Sequence, residues 1–295
     1  MRKAGNSIYC TDDGSILVLV LWVIALLTMV AGYFSVEARL RGNMGHNAWN
    51  LLKSRLEIES ILNLTSIYLG PLEQKDDTED PDHFIFADGS QYKVRINGRE
   101  VNFRLEDERG KLDINTVSED TLVSVLDALL EDQNPGLASR LTDCILDWKD
   151  NDEDRRSKGA EKDYYERQVP PYKPANSRFL LLEQLLLVRY MTPRIFWGPI
   201  EWNKSAKKDQ PLSWKGGIQD IFTVYNQAGV VIKAAAPDPL LDILDEQEFS
   251  DKGGKGTLRF RTCLYQGCYQ VFWDARKNGE QLYTLLHWQH IPRFD

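Results

Sequence analysis

The sequence has 295 residues, of which 42% are hydrophobic and 27% are charged, which is enough for one large domain or two smaller domains with an ordered core. Its four cysteines exclude a disulfide-rich scaffold. The formal net charge of −8 argues against a DNA-binding protein, because contact with phosphates needs clustered Lys and Arg side chains.

The first element in the chain is an apolar stretch from Ile16 to Phe34 that contains no charged residue. At about 1.5 Å per helical residue, its length matches the roughly 30 Å hydrocarbon core of a bilayer. A secretory signal peptide has a shorter apolar region followed by a site of small residues for cleavage, and no convincing site follows Phe34. We therefore predict a membrane-spanning anchor in preference to a signal peptide or a buried helix.

The helical pattern continues beyond this stretch, because apolar residues recur at helical spacing as far as Ile67 and Gly70-Pro71 then ends the pattern. A helix from Ser15 to Leu69 would be about 80 Å long. It serves either as an anchor and stalk or as a pilin-type helix that packs into a filament. Gly14 favours the second interpretation, since a short leader, a glycine and an apolar helix are the layout of a prepilin. Prepilin peptidase would then cut between Gly14 and Ser15.

Two regions of alternating apolar and polar residues predict β-strands. The first runs from His83 to Leu105 and contains the hairpin signal Asn97-Gly98. The second covers Thr257 to Trp273 and Gln281 to Ile291, with a turn at Asn278-Gly279. Together they predict an antiparallel sheet whose strands come from both sides of a long middle segment.

The middle segment is predicted to be mainly helical. A capped helix starts at Ser118-Glu119-Asp120, a second covers Leu137 to Trp148 and a third covers Leu180 to Tyr190, whereas Lys204 to Gly217 is predicted to be a loop. A weak internal repeat at an offset of 118 residues aligns Ile114 with Ile232, Leu122 with Leu240 and Leu126 with Leu244.

These patterns predict an α+β protein with a pilin-like fold, in which a large helical domain is inserted between strands of one sheet. The predicted parts are a leader (1–14), a transmembrane and amphipathic helix (15–70), the first part of the sheet (71–112, with an acidic linker at Glu73 to Asp82), the inserted helical domain with its acidic loop (113–250) and the C-terminal strands (251–295).

An acidic loop carries the densest chemical pattern in the chain. Counted from Asp150, acidic residues fall at positions 1, 3, 5 and 12, which is the ligand spacing of an EF-hand calcium loop. Position 6 is Arg155 instead of the glycine that an EF-hand needs, so a true EF-hand is disfavoured. A flexible calcium site still suits these oxygen ligands, and the alternative is a solvated loop neutralised by its Lys and Arg residues. The candidate ligands are Asp150, Asp152, Glu161 and Asp163, followed by Asp147 and Asp154.

The cysteines leave one pairing open. Cys263 and Cys268 could form a disulfide if the residues between them turn, but in one straight strand they would be about 17 Å apart and could not pair. Cys144 lies on the apolar face of a predicted helix and is expected to be an inert core residue, and Cys10 is expected to be lost with the leader.

Two other classes of function are disfavoured. The sequence has neither a Gly-x-Ser-x-Gly elbow nor a phosphate-binding loop, and no nucleophile or base stands out near the acidic loop, so we assign no catalytic residues. Ile114-Asn115-Thr116 followed by a capped helix resembles the start of a helix-hairpin-helix DNA-binding module. The corresponding turn, Arg189-Tyr190-Met191, lacks the glycine that such modules use to reach phosphate.

Several motifs in order resemble the K-type minor pseudopilins of type II secretion. They are Asp107-Glu108-Arg109-Gly110-Lys111-Leu112-Asp113-Ile114-Asn115-Thr116, Leu146-Asp147-Trp148-Lys149-Asp150-Asn151-Asp152, Gly159-Ala160-Glu161-Lys162-Asp163-Tyr164-Tyr165 and Pro170-Pro171-Tyr172-Lys173-Pro174-Ala175-Asn176. Leu19 stands where most pilins carry Glu five residues after the cut, and this family also typically lacks that Glu.

The resemblance implies a non-enzymatic subunit at the tip of a periplasmic pseudopilus that helps to start the filament and supports export across the outer membrane. It further implies a single-pass inner-membrane protein with a periplasmic C-terminal domain, cleaved by prepilin peptidase and methylated at its new N-terminus. The implied partners are the I-type and J-type minor pseudopilins, the major pseudopilin and the inner-membrane assembly platform, with no nucleic acid. Structural Ca²⁺ is implied at Asp150, Asp152, Glu161 and Asp163. A generic membrane-anchored periplasmic calcium-binding module remains the alternative.

Overall fold

The computed structural model describes residues 13–70, 72, 83–130, 135–204, 212–251, 256–264, 267–275 and 283–291. The chain divides into two compact units, Met1–Ile58 and Glu59–Asp295. The first helix is α1 (Asp13–Tyr68). The later helices and strands are, in chain order, β1 (Asp88–Ile96), β2 (Arg99–Asp107), β3 (Leu112–Asp113), α2 (Glu119–Leu130), α3 (Leu137–Lys149), α4 (Lys162–Tyr165), α5 (Pro193–Trp197), β4 (Ile200–Lys204), β5 (Leu212–Gly216), α6 (Ile218–Ile221), β6 (Phe222–Thr223), β7 (Val231–Ile232), α7 (Asp238–Ile243), β8 (Phe249–Ser250), β9 (Thr257–Leu264), β10 (Gly267–Ala275) and β11 (Tyr283–Ile291).

Helix α1 confirms the long N-terminal helix, and at about 1.5 Å per residue its 56 residues extend about 84 Å. It is long and apolar enough to cross a membrane, and the apolar side chains of its first part are exposed, as those of a lipid-facing segment would be. Gly70 follows its end and donates its N–H to the carbonyl of Ile85 at 2.9 Å. A Cβ at Gly70 would lie 2.7 Å from the Phe86 ring, so a glycine is needed for this close approach. The leader residues 1–12 and the whole acidic linker from Glu73 to Asp82 lie outside the described residues.

Five strands form one antiparallel sheet in the order β1-β2-β9-β10-β11. The turn between β1 and β2 is made by Asn97 and Gly98, both with positive φ (51° and 79°), which confirms the hairpin that the sequence predicts. Alternate side chains are buried along β2, and Phe103 stacks on Tyr92 and Phe260 with ring centroids 5.6 and 5.3 Å apart. The predicted turn at Asn278-Gly279 lies outside the described residues.

The helical segment is inserted between two neighbouring strands, because β2 pairs with β9 although the chain between them is about 150 residues long. Its buried core is formed by α2, α3 and the segments that follow them, up to Leu244. Apolar residues of α2 recur at helical spacing, and Leu122, Val125, Leu126, Leu129 and Leu130 are all buried. The two-part architecture predicted from the sequence, a pilin-like sheet with a helical insertion, is therefore confirmed.

Two of the predicted elements are wrong in part. The third helix, predicted over Leu180 to Tyr190, is a short 3-10 segment at Leu182–Leu187, and Leu180 and Leu181 before it are exposed. The segment predicted as a loop over Lys204 to Gly217 contains strand β5, which pairs with β4. Trp202 and Trp214 are opposite each other in the backbone register of this hairpin, and tryptophan is a residue type that favours β-strands.

The internal repeat corresponds to two parts of one core. Ile114, Leu122, Leu126, Leu240 and Leu244 all belong to the buried cluster, although the second copy has only the short helix α7. The residues from Asp245 to Glu248 are all polar, so a longer helix would have no further apolar side chains to bury, which explains why it ends early.

The open question about Cys263 and Cys268 is answered by the antiparallel pairing of β9 with β10. The two residues face each other in the strand pairing and form a disulfide. Cys144 is buried and free, and burial raises the pKa of its thiol to about 12, as expected for an inert core cysteine.

A buried network of charges ties the insertion to the sheet. The Glu108 carboxylate accepts hydrogen bonds from Arg259 of β9 at 2.8 Å, from Lys111 at 2.7 Å and from the Thr223 hydroxyl. Lys111 also donates to Glu106 at 2.6 Å. Burial by itself would raise the pKa of Glu108, but the charges of Arg259 and Lys111 outweigh it and the pKa is lowered.

Candidate metal centre

Three acidic side chains meet where α3 ends and α4 begins. Asp147 lies in the last turn of α3, Asp150 caps its C-terminus and Glu161 caps the N-terminus of α4. One carboxylate oxygen from each residue lies within 4.8 Å of the others. The apolar face of α3 packs into the core and carries Asp147 with it, so this carboxylate is fully buried.

Gly159 allows the loop after α3 to return to this carboxylate. A Cβ at Gly159 would lie 1.9 Å from Oδ2 of Asp147, so no other residue fits here without a shift. The backbone N–H of Arg156 donates to both oxygens of Asp147 at 3.3 Å. The Arg156 guanidinium lies 3.8 Å from Asp147 and pairs with Glu119 at 3.0 Å, so the loop is also fastened to the start of α2.

The electrostatics of this group are unfavourable for three ionised carboxylates. Burial, followed by the neighbouring charges of Asp147 and Asp150, raises the pKa of Glu161 to about 7. Burial raises the pKa of Asp147 to about 6, with a further contribution from Asp150. Like charges this close, removed from water, disfavour the ionised form of each carboxylate.

Several carboxylate oxygens of this group have no hydrogen-bond partner among the described residues. Both carboxylate oxygens of Glu161 and Oδ1 of Asp150 are buried and accept no hydrogen bond from any residue that the structure describes. A buried acceptor without a partner is unfavourable and needs an explanation. Carboxylate oxygens are the ligands that Ca²⁺ takes in flexible arrangements, so the residues fit a calcium ion.

The structure brings together only three of the six predicted ligands. Asp152 is exposed and its Oδ1 accepts the N–H of Asp154 at 2.8 Å. Asp163 is exposed and pairs with Arg167 at 3.5 Å. Asp152, Asp154 and Asp163 therefore lie outside the group of three, and their role as ligands stays a prediction.

The group differs from an EF-hand loop. Asp150 and Glu161, at positions 1 and 12, are together, but their third member is Asp147, which precedes the loop. The sequence pattern placed Asp147 in the second set of candidate ligands. It did not indicate the contacts that Gly159 and the backbone N–H of Arg156 make with this side chain. The Gly159-Ala160-Glu161 motif was the available signal, since a glycine just before a ligand often marks a close approach of backbone.

An aromatic cluster supports the centre from the core side. Trp148 is 2% exposed, and its ring contacts Tyr165 edge-on at 5.1 Å and stacks with Phe179 at 6.5 Å between centroids. The backbone N–H of Phe179 donates to Oδ1 of Asn115 at 2.7 Å, and Nδ2 of Asn115 donates to the backbone carbonyl of Phe179 at 3.0 Å. The motifs Asp147-Trp148 and Tyr164-Tyr165 thus supply aromatic side chains that pack beside the acidic group.

The predicted processing site lies at the other end of the chain. Gly14 and Ser15 fall in the first turn of α1, directly before the apolar stretch. The residues that precede α1 lie outside the described part of the chain.

Comparisons with known proteins agree with these observations. Residues 110–197 match a family model described as protein K of the type II secretion system (T2SS). Type II secretion system protein K of Aeromonas hydrophila is 43% identical over 60 residues, which are 20% of this chain and 18% of that protein, so the match spans about a fifth of either length.

The fold also matches a solved structure. A chain of the GspK-GspI-GspJ complex from the enterotoxigenic Escherichia coli type 2 secretion system superposes with a TM-score of 0.51, over 85% of this chain and 99% of that chain. At 12% identity this likeness concerns the fold alone. Together the comparisons support the resemblance found in the sequence motifs: residues 110–197 are similar to protein K of the type II secretion system, and the long helix with its antiparallel sheet has a fold similar to that of a chain in the GspK-GspI-GspJ complex.

Proposed function

We propose that this chain is a minor pseudopilin that lies at the tip of a type II secretion pseudopilus, helps to start filament assembly and thereby supports protein export across the outer membrane. Its role is structural and not catalytic. It is anchored in the inner membrane by α1, with the C-terminal domain in the periplasm. The observation that carries the proposal is the combination of a long apolar N-terminal helix with a protein K domain inserted between neighbouring strands.

The surface of α1 supports packing into a filament. Large apolar side chains remain exposed well beyond the stretch that a bilayer would cover, and they are Leu40, Met44, Trp49, Leu51, Leu52 and Leu56. A helix with exposed apolar residues over so great a length needs a partner surface in water. The corresponding helices of other subunits are the partners that a filament supplies.

The I-type and J-type minor pseudopilins are the partners that we propose first. The solved structure with the similar fold is a complex named for the K, I and J subunits. We further propose contacts with the major pseudopilin and the inner-membrane assembly platform, and processing by prepilin peptidase between Gly14 and Ser15.

N-terminal sequencing of the mature protein tests the proposed function. We expect a start at Ser15 that requires prepilin peptidase, and copurification with I-type and J-type pseudopilins from the same cells. A generic membrane-anchored calcium-binding module would keep Met1 and would not copurify with them. An uncut chain or a cut beyond Phe34 would refute the pseudopilin assignment.

We also propose that Asp147, Asp150 and Glu161 hold a structural Ca²⁺. Bound calcium would supply the positive charge that this group of carboxylates lacks and would stabilise the folded state. The unpartnered oxygens of Glu161 and Asp150 support the proposal.

Terbium luminescence offers a direct test, because the buried Trp148 lies next to Asp147 in sequence and can transfer excitation energy to Tb³⁺ at the site. We expect Trp-sensitised emission that Ca²⁺ displaces and that Glu161→Gln abolishes. Glu166→Gln is the matched control, since Glu166 is exposed and pairs only weakly with Lys173 at 3.8 Å. Equal emission from Glu161→Gln and the native chain would contradict a calcium site here.

A further inference from the structure

The turn Arg189-Tyr190-Met191 has an unusual backbone. Tyr190 has φ of 71°, in the left-handed region that favours glycine. The other two non-glycine residues with positive φ among the described residues are Asn97 and Asn176, and asparagine tolerates this region. A tyrosine adopts it only when its surroundings hold it there, and such positions cluster at functional surfaces.

The Tyr190 ring contacts two guanidinium groups, and one of these also contacts the ring of Tyr164. The guanidinium carbon of Arg189 lies 4.4 Å from the centroid of the Tyr164 ring and 4.6 Å from that of Tyr190. The guanidinium of Arg140 lies 5.3 Å from the Tyr190 ring. The Arg189 side chain is therefore held against two rings, which fixes the orientation of its planar group.

Arg189 has no acidic partner within the described part of the chain, unlike two other arginines of the inserted segment. Arg156 pairs with Glu119 and Arg167 pairs with Asp163. When a guanidinium group stacks on aromatic rings, its N–H donors point outward in the plane of the group. Two of them can then donate parallel hydrogen bonds to one carboxylate. Because Arg189 is only half-buried, such a carboxylate could reach it from outside.

The turn Arg189-Tyr190-Met191 does not present the free backbone N–H groups that bind the phosphates of a nucleic acid. The N–H of Met191 already donates to the carbonyl of Val188 at 3.1 Å, and the N–H of Arg189 donates to the hydroxyl of Tyr165 at 3.3 Å. A phosphate cradle relies on free backbone N–H groups. Nucleic acid binding also needs several clustered cations, whereas this chain has a net charge of −8.

We propose that Arg189, held between Tyr164 and Tyr190, is a docking point for a carboxylate from an acidic segment of a partner protein. The rings shield the charge from water and so strengthen the ion pair. The strained backbone at Tyr190 places one of the two rings. This docking point does not depend on the pseudopilin assignment, since any partner with an acidic segment could use it.

Fluorescence anisotropy with the full-length chain in detergent and excess calcium tests the proposal. The probe is a fluorescein-labelled peptide in which Asp and Glu alternate with Gly, and the comparison peptide carries Asn and Gln instead. We expect binding of the acidic peptide only, weakened about tenfold by Arg189→Gln and about fivefold by Arg189→Lys, which keeps the charge but not the planar fork. Arg167→Gln is the matched control and should bind as the native chain does.

Tyr190→Gly separates docking from folding. Glycine suits the left-handed backbone and so offsets part of the packing that is lost with a ring lying against the core. We therefore expect cooperative thermal unfolding with only a small fall in melting temperature, while the loss of the ring weakens binding of the acidic peptide. Equal binding of the two peptides, or equal losses in Arg167→Gln and Arg189→Gln, would overturn the proposal. Tighter binding of duplex DNA than of the acidic peptide, lost in Arg189→Gln, would overturn it in favour of a nucleic-acid site.

Discussion

Gly159 shows how a single residue determines the geometry of the metal centre. Its missing side chain lets the loop pass within contact distance of Asp147, and a Cβ would lie 1.9 Å from Oδ2. In Gly159→Ala we therefore expect the loop to shift away, with a loss of about 1–3 kcal/mol in the free energy of unfolding. The stabilisation by calcium should fall with it. Denaturant unfolding with and without calcium measures both effects.

Ser157→Ala is the control for this substitution. Ser157 lies in the same loop and its hydroxyl makes only an exposed 3.3 Å hydrogen bond to Asp143. We expect a change within about 0.5 kcal/mol, as for most surface substitutions. If Gly159→Ala retained the full calcium effect, the close approach would not matter for the site.

The pKa values of the acidic group predict how calcium binding depends on pH. Burial raises the pKa of Glu161 to about 7 and that of Asp147 to about 6. The folded, calcium-free chain therefore binds protons more tightly than the unfolded chain, and it loses stability as the pH rises from the ordinary carboxyl pKa of about 4 to about 7. Calcium competes with these protons, so its effect on the melting temperature should be larger at pH 8 than at pH 5.5. Thermal unfolding at both values checks this, and a larger effect at pH 5.5 would contradict it.

At the scale of elements, the joint between insertion and sheet depends on Glu108. Arg259 and Lys111 both donate to its buried carboxylate, so Glu108→Gln removes the carboxylate that Arg259 pairs with and one of the two that Lys111 contacts. We expect the free energy of unfolding to fall by about 3–5 kcal/mol, as in other broken buried ion pairs. Urea unfolding gives this difference directly.

Glu100→Gln is the matched control for the joint. Glu100 pairs with Lys93 at 3.2 Å on the exposed side of the same sheet, and exposed pairs contribute about 0–1 kcal/mol. Equal effects of Glu100→Gln and Glu108→Gln would show that the buried network does not hold the joint.

The elements that could be predicted from sequence are those whose pattern is repeated along the chain. Helices α1, α2 and α3 have apolar residues at helical spacing, and the β1–β2 hairpin has Asn97-Gly98 at its turn. The segment after Leu180 has consecutive leucines, which fit a helix as well as the short 3-10 segment that is present. Strand β5 is short and is formed by its pairing with β4. It is not part of a longer repeated pattern, so the spacing of apolar residues did not predict it.

The candidate site could be predicted only in part for a related reason. The spacing of Asp150 and Glu161 marked a calcium loop, because ligand spacing is a property of the local sequence. The inward position of Asp147 depends on which face of α3 is buried, and the charge network at Glu108 joins residues about 150 positions apart. Contacts over such distances follow from the topology and leave no local pattern.

At the scale of the whole molecule, the sheet accommodates a large insertion because the ends of the insertion are close together. Asp107 at the end of β2 lies opposite Leu258 at the start of β9. A domain whose ends are adjacent can be inserted without disturbing the strands on either side. The sheet thus keeps its pilin-like order while the insertion carries the acidic group and the Arg189 turn.

The two compact units imply that anchoring and folding can be separated. The exposed apolar stretch of α1 lies entirely in the unit Met1–Ile58, whereas the sheet, the insertion and the acidic group lie in Glu59–Asp295. We therefore expect the full chain to stay with membranes after carbonate extraction, because about 20 apolar helical residues suffice to span a bilayer. A chain of residues 59–295 should be soluble without detergent and should keep the rise in melting temperature that calcium produces in the full chain. Aggregation of the shorter chain, or loss of its response to calcium, would show that the folded unit depends on the anchor.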